Sequence, residues 1–164
     1  MQNSTPRLIL ICGLPGAGKT TLARRLESEL SAIRLCGDEW MATLGIDLYD
    51  EEARERLEQL FWQHGRELLK HGLTVILESG FWQRSERDEK RLYARSHAIP
   101  IELHHLDVPL EERWSRIQQR NAAPPFGSVP IPKEKLAGWE VFFETPTAAE
   151  LALYDAPTGT RSET

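Results

Sequence analysis

The stretch LILICGLPGAGKTTLARRL, residues Leu8 to Leu26, decides the fold. It opens with four apolar residues, Leu8 to Ile11, that show no polar alternation, as expected of a strand buried on both faces of a parallel sheet. It closes with Leu22, Leu26 and, one turn on, Leu30 at helical spacing around Arg24, Arg25 and Glu27. Between them, Gly13-x4-Gly18-Lys19-Thr20 matches the phosphate-binding P-loop pattern, which requires a strand before it and a helix after it. Successive backbone N–H groups can curl around an anion only where side chains do not obstruct the curl, which accounts for Gly13, Gly16 and Gly18. The helix that follows aims its free N–H groups at the same anion. Lys19 can then neutralise terminal phosphate oxygens and the Thr20 hydroxyl can ligate Mg²⁺.

Outward from this stretch, 164 residues suffice for one domain with a sizeable core. Residues 1–155 read as a single domain and residues 156–164 as a disordered tail. A hydrophobic share of 40% with 27% charged residues is ordinary for a globular chain. A net charge of −5 argues against general affinity for nucleic acid while leaving room for a local basic patch. Cys12 and Cys36 read as reduced core thiols, since neither a disulfide framework nor a Cys-x-x-Cys pair is present. No apolar run approaches a membrane span and the first residues lack the order of a signal peptide, so no membrane role and a cytoplasmic location are expected.

Further along, strand and helix patterns alternate. A short strand within Ala32 to Trp40 ends in a polar turn, and an amphipathic helix covers Asp50 to His71. A strand follows over Leu73 to Leu77, a charged helix over Glu86 to Ala98, and a strand ending near Asp107. A helix begins after Pro109 and runs to about Arg120. NAAPPFGSVPIP then holds four prolines and a glycine, too many for a helix or central strand, and reads as a mobile loop. A helix over Lys133 to Phe143 and a short one over Ala148 to Tyr154 complete the pattern. The expected class is α/β, a P-loop NTPase three-layer sandwich with a mainly parallel four- to five-stranded sheet and a lid.

In such sheets chemistry sits beyond the carboxyl ends of the strands. Asp38 follows the second strand, within reach of the terminal-phosphate side of the P-loop, and Glu78 follows the apolar third strand, where an acid commonly holds Mg²⁺ through its waters. Glutamate is one methylene longer than the usual aspartate, so Glu78 serves either metal or substrate. Asp107 reads better as a helix N-cap. Arg116 and Arg120 share a helix face beside the proline-rich loop, with Arg113 a turn earlier, and lid closure could bring guanidinium groups onto a transferring phosphate. Arg84 and Arg87 could hold an anionic substrate or simply solvate their helix. Trp40 and Trp82 read equally as core or as pocket walls, while Trp62, Trp139 and Phe142 read as core. His104 and His105 alternate on a strand and do not share a metal.

The order of GLPGAGKTTLARRL, GDEW, FWQRSERDEKRLYA, LDVPLEERWSRIQQRN and FFETPTAAE resembles the small P-loop kinases that include the kinase domain of polynucleotide kinase, chloramphenicol phosphotransferase and the zeta-toxin group. The resemblance covers most of residues 7 to 150. It implies ATP- or GTP-dependent phosphoryl transfer to a hydroxyl of a small molecule or a nucleic acid end, with ATP and Mg²⁺ as cofactors. Asp38 would orient or deprotonate the acceptor, and Lys19, Arg116 and Arg120 would complete the catalytic set. Gly13, Pro15, Gly16, Ala17, Gly18, Lys19, Thr20, Thr21 and Arg120 would hold the nucleotide, and Thr20 and Glu78 the metal. The Asn-Lys-x-Asp and Asp-x-x-Gly tetrapeptides of GTPase switches do not occur. A nucleotide hydrolase or switch is the alternative reading.

Overall fold

The structure, a computed structural model, describes residues 5–158. In chain order the elements are β1 (Leu8–Cys12), α1 (Lys19–Leu30), β2 (Ile33–Leu35), α2 (Gly37–Thr43), α3 (Glu51–Lys70), β3 (Val75–Gly80), α4 (Arg84–Ser96), β4 (Ile101–His105), α5 (Leu110–Ala122), α6 (Lys133–Gly138), a 3-10 turn (Trp139–Phe142) and α7 (Ala148–Leu151). The strands form one four-stranded sheet in the order β2-β3-β1-β4, and every pairing is parallel. This is the α/β class expected of the sequence.

The unbroken apolar run of β1 is explained by its two neighbours and two faces. Leu8, Leu10 and Cys12 pack with Phe61, Trp62 and Leu69 of α3 and Ala94 of α4. Ile9 and Ile11 point the other way, onto Ala23 and Leu26 of α1. Helices therefore cover both faces of the sheet, giving three layers. A third, smaller cluster of Ile117, Ile131 and Leu136 fastens α5 to α6. Asp50 caps α3 by accepting from the Ala53 N–H at 2.9 Å. Because β2 and β3 are parallel, α3 must return against them, so its first turns lie at the carboxyl end of the sheet. Among the described residues no helix is long and apolar enough to cross a membrane.

Several sequence expectations move. Gly37–Thr43 is helical, so Asp38 stands in the first turn of α2 and not in a polar turn. β3 extends to Gly80, placing Glu78 inside the strand. Asp107 does not cap α5, which begins after Pro109 with no side-chain cap bond. Phe142 is 60% exposed, not core. The helix expected over 133–143 divides into α6 and the 3-10 turn.

Arg87 neither solvates its helix nor faces a substrate. It is fully buried, donating from Nε to Glu150 at 2.6 Å, from Nη1 to the Phe81 carbonyl at 2.8 Å and from Nη2 to the Glu144 carbonyl at 2.9 Å. One guanidinium thus fixes the end of β3 to the chain around α7. The tail is also fastened where it is described. Thr158 donates its N–H and hydroxyl to Glu102 at 3.1 and 2.7 Å, and Arg7 reaches the same buried carboxylate at 2.7 Å. Burial pushes the Glu102 pKa up, but the bonds from His104, Thr158 and Arg7 outweigh it and hold it down at about 2. Residues 159–164 of the expected disordered tail lie outside the described residues.

Arg87→Met should lower stability by about 3–5 kcal/mol, because it strands the Glu150 carboxylate in the interior. Urea denaturation measures this, and a loss below about 1 kcal/mol would contradict the strut assigned to Arg87.

Candidate active site

The P-loop joins β1 to α1 at the carboxyl edge of the sheet. Its entry is stitched on both sides, by the Gly13 N–H to the Gly80 carbonyl at 3.0 Å and the Leu106 N–H to the Cys12 carbonyl at 2.9 Å. Gly16 and Gly18 take φ of +84° and +94°, a region glycine enters without strain. Gly16 has a further reason to be glycine: a Cβ there would stand 2.9 Å from the Arg113 carbonyl. Its missing side chain therefore lets α5 pack on the loop. The Gly16 and Gly18 N–H groups make no hydrogen bond among the described residues. Unpaired amides in one concave turn suit an anion of several oxygens, the chemistry of a nucleotide phosphate chain.

Lys19 is half-buried and donates from Nζ to the Leu14 carbonyl at 3.0 Å. Burial pulls its pKa down to about 8, against the opposing pull of Glu78 and Asp38. Thr20, next in line, donates its hydroxyl to the Glu78 carboxylate. The second Glu78 oxygen receives Arg34 Nη1 at 2.8 Å. The longer side chain of glutamate therefore bridges the first turn of α1 and a residue of β2. Arg34 also reaches Glu39 at 2.7 Å and Glu27 at 3.2 Å, and Glu39 takes Arg24 at 2.7 Å. Thr20 and Glu78 could hold Mg²⁺ that arrives with phosphates. Among the described residues no three His, Cys, Asp or Glu side chains cluster to hold a metal by themselves.

The three arginines of α5 divide the work. Arg113 is buried, bonding the Val108 carbonyl at 2.9 Å, the Pro15 carbonyl at 3.4 Å and the Glu140 carboxylate. It ties the P-loop to the 3-10 turn and faces no solvent. Arg116 is half-exposed, reaching the Gly16 carbonyl at 3.3 Å and Glu112 at 2.5 Å. Arg120 is different: its Nε is buried and has no partner among the described residues. Burial lowers the Arg120 pKa, while Asp38 raises it. An orphaned guanidinium donor beside free loop amides is a second mark of an anion site.

The proline-rich loop does not hang free. Asn121 brackets Ile131, donating from Nδ2 to its carbonyl at 2.8 Å and accepting its N–H at 3.0 Å. Tyr49 donates its hydroxyl to the Pro130 carbonyl at 2.9 Å, Gly127 lies against the Glu39 backbone, and the Lys135 ammonium sits 3.7 Å from the Tyr49 ring centroid. The mobile loop of the sequence reading is thus a strap running from α5 across to α2.

Asp38 accepts from Arg54 Nη1 at 2.5 Å, and Arg54 Nη2 reaches the Leu48 carbonyl at 2.7 Å. The Asp38 side chain is about half exposed, facing Lys19 and Arg120 closely enough to act on both charges. Arg54 and Arg34, which hold the two acids, carry no sequence signal. Trp40 stands edge-on to Phe61 at 5.1 Å and is 48% exposed. Trp82 packs on Trp139 at 5.9 Å, with its Nε1 over Gly80.

The depressed Lys19 pKa sets a pH dependence. Phosphates favour the ammonium, so affinity for Mg·ATP should hold below about pH 8 and fall above it, with proton uptake on binding in alkaline buffer. Calorimetry in buffers of differing ionisation enthalpy measures both. Flat affinity to high pH with no uptake would contradict it.

By sequence, no curated protein matches the chain. Among solved structures, a chain of the Pnkp1/Rnl/Hen1 complex is 26% identical over 71% of this chain and 42% of its own length, with a TM-score of 0.57. The chain thus spans less than half of that relative. Kti12 from Chaetomium thermophilum, solved with ADP-AlF3, shares the fold at 21% identity, covering 87% of this chain and 82% of its own, with a TM-score of 0.67. The APS kinase of Mycobacterium tuberculosis, solved with AMPPNP and APS, does so at 21% identity, 74% and 73% coverage and a TM-score of 0.58. The family described as AAA domain matches residues 8–146, from β1 through the strap to just beyond the 3-10 turn, and the chain belongs to this family of P-loop, kinase-like domains.

Proposed function

We propose that the protein is a kinase that transfers the γ-phosphate of ATP to an alcohol hydroxyl of a small molecule or a nucleic acid end. The observation that carries this reading is Asp38, fixed by Arg54 in front of the P-loop and acting on both Lys19 and Arg120. A hydrolase has only water to orient, whereas a carboxylate anchored at the far side of the phosphate position suits a larger acceptor.

In this reading the amides of Gly16, Gly18 and the first turn of α1 bind the β- and γ-phosphates. Pro15, Ala17, Thr21 and Gly13 shape the loop around them. Lys19 leaves the Leu14 carbonyl to meet the β/γ oxygens. Mg²⁺, where bound, would screen charge between those oxygens, held by Thr20 with Glu78 behind it. Arg120 and Arg116 stabilise charge on the phosphoryl group in flight, while the strap excludes water. Asp38 accepts the acceptor's proton through an oxygen as the new O–P bond forms, and ADP departs with the electrons of the broken bond.

Asp38→Asn keeps the shape and loses the proton acceptor. Transfer to the alcohol should fall by about 10²–10⁴ with ATP affinity within a few-fold. Arg120→Ala should cost on the order of 10³ in turnover. Both are measured by γ-phosphate transfer to a pool of sugars, nucleosides, antibiotics and 5′-hydroxyl oligonucleotides, beside calorimetric ATP titration. Transfer near the original rate in Asp38→Asn would remove the kinase reading's main support, and a γ-phosphate that reaches only water would favour the hydrolase.

A further inference from the structure

The strap is joined to the candidate metal pair, Thr20 and Glu78, through one arginine. The tip of the strap is a turn in which the Pro125 carbonyl accepts the Ser128 N–H at 3.1 Å and the Ser128 hydroxyl at 2.9 Å. Gly127 sits in that turn at φ +78°, and a Cβ there would stand 3.3 Å from both Cα and Cγ of Glu39. The tip therefore rests on Glu39 with no room for a side chain of its own. Phe126 beside it is 72% exposed, so the one large side chain of the tip gives it no anchor.

From Glu39 a continuous polar path leads to the P-loop. One Glu39 oxygen accepts Arg24 Nη2 at 2.7 Å and the other accepts Arg34 Nη2 at 2.7 Å. Arg34 gives its other nitrogens to Glu78, from Nη1 at 2.8 Å, and to Glu27, from Nε at 3.2 Å. The Arg34 side chain is 8% exposed and that of Glu78 4%, so water competes little for this bond. Glu78 in turn accepts the Thr20 hydroxyl. A hydroxyl has one proton and two lone pairs, so a proton given to Glu78 leaves the Thr20 lone pairs for a cation. Among the described residues Arg34 is the only side chain bonded to both Glu39 and Glu78. Its guanidinium is a rigid planar fork, so a shift of Glu39 either carries Glu78 along or breaks one of the two bonds.

Resting on the kinase reading and its Mg²⁺, we infer that Arg34 is a positioning residue through which the strap, seated on Glu39, sets how well Thr20 and Glu78 hold the metal. Arg34 acts on the metal only through Glu78. The seated and the lifted strap are the two states that both ends of this path bias. The coupling is reciprocal: a bound metal favours the seated strap by the same factor by which the seated strap favours the metal.

Two variants test this. Gly127→Ala sets a methyl against Glu39 and lifts the tip without touching the nucleotide loop. Arg34→Lys keeps the charge but replaces the fork by a single ammonium, which cannot hold Glu39 and Glu78 in the same geometry. Each whole chain is titrated calorimetrically with a nonhydrolysable ATP analogue, once with Mg²⁺ and once with EDTA. The ratio of the two Kd values is the gain due to metal. Each variant should lower that gain at least about fivefold, the lower end for coupled sites, while metal-free affinity stays within about twofold. In the Arg34→Lys background Gly127→Ala should lower it no further. Hydrogen exchange over residues 123–132 reads the reverse direction. Adding Mg²⁺ to the analogue complex should slow exchange there in the original chain and not in Arg34→Lys. A gain that neither variant changes, an equal effect of Gly127→Ala with Arg34 present or replaced, or exchange in the original chain that ignores Mg²⁺ would each overturn the inference. So would a metal-free affinity that falls as far as the metal-bound one, the result of a merely structural role. Should Arg34→Lys fail to fold, Gly127→Ala and the exchange of the original chain still decide the matter. No acceptor enters these measurements, so a protein that passes phosphate only to water would fail the kinase reading and leave this coupling intact.

Discussion

The P-loop works only if a tight turn of backbone is held open with its N–H groups unspent. A peptide left to itself satisfies its amides internally, so the loop must be braced from outside. The braces are specific. The Gly80 carbonyl takes the Gly13 N–H, Arg113 and Arg116 take the Pro15 and Gly16 carbonyls, and Glu78 takes the Thr20 hydroxyl. Carbonyls are drawn outward by guanidinium groups, and the Gly16 and Gly18 amides are left for an anion. The rest of the architecture supplies those braces: β3 positions Gly80 and Glu78, and α5 positions the arginines.

The second constraint is where charge is spent. Arg34, Arg54, Arg87 and Arg113 are each consumed by carboxylates or carbonyls that position the site. Lys19, Arg116 and Arg120 lie by the P-loop, and the buried Arg120 Nε has no partner among the described residues. The cations that hold Asp38, Glu78, Glu150 and Glu140 thus position the site, and Arg120 keeps a donor to spare. The turn at Gly80 and Phe81 has both residues at positive φ and the Phe81 carbonyl held by Cys12 Sγ at 3.4 Å and Arg87 at 2.8 Å.

Much of the frame was legible in the sequence because it rests on local rules. An unbroken apolar run, a glycine-rich turn and a helical repeat identify β1, the P-loop and α1 without reference to anything distant. The helix of Gly37–Thr43 was hidden because seven residues are too few for a periodicity and Gly37 is a poor helix former. Arg87 reads equally as a substrate anchor or a solvated helix charge and Arg113 as a lid arginine, because the partners that bury them, Glu150 and Glu140, lie 63 and 27 residues away. The braces on Asp38 and Glu78, from Arg54 and Arg34, are equally long-range side-chain contacts, and no spacing rule reports them. Sequence therefore locates groups that act through their own backbone, and the fold reveals those that act through another side chain.

The central claim is that these groups deliver phosphate to an alcohol. ³¹P NMR of Mg·ATP mixed with the protein and a pool of neutral, anionic and amine-bearing alcohols follows the γ-phosphate directly. The expected result is a phosphate monoester resonance growing in step with ADP, while inorganic phosphate stays near its level without acceptor. ADP formed only together with inorganic phosphate, whichever alcohol is present, would contradict it.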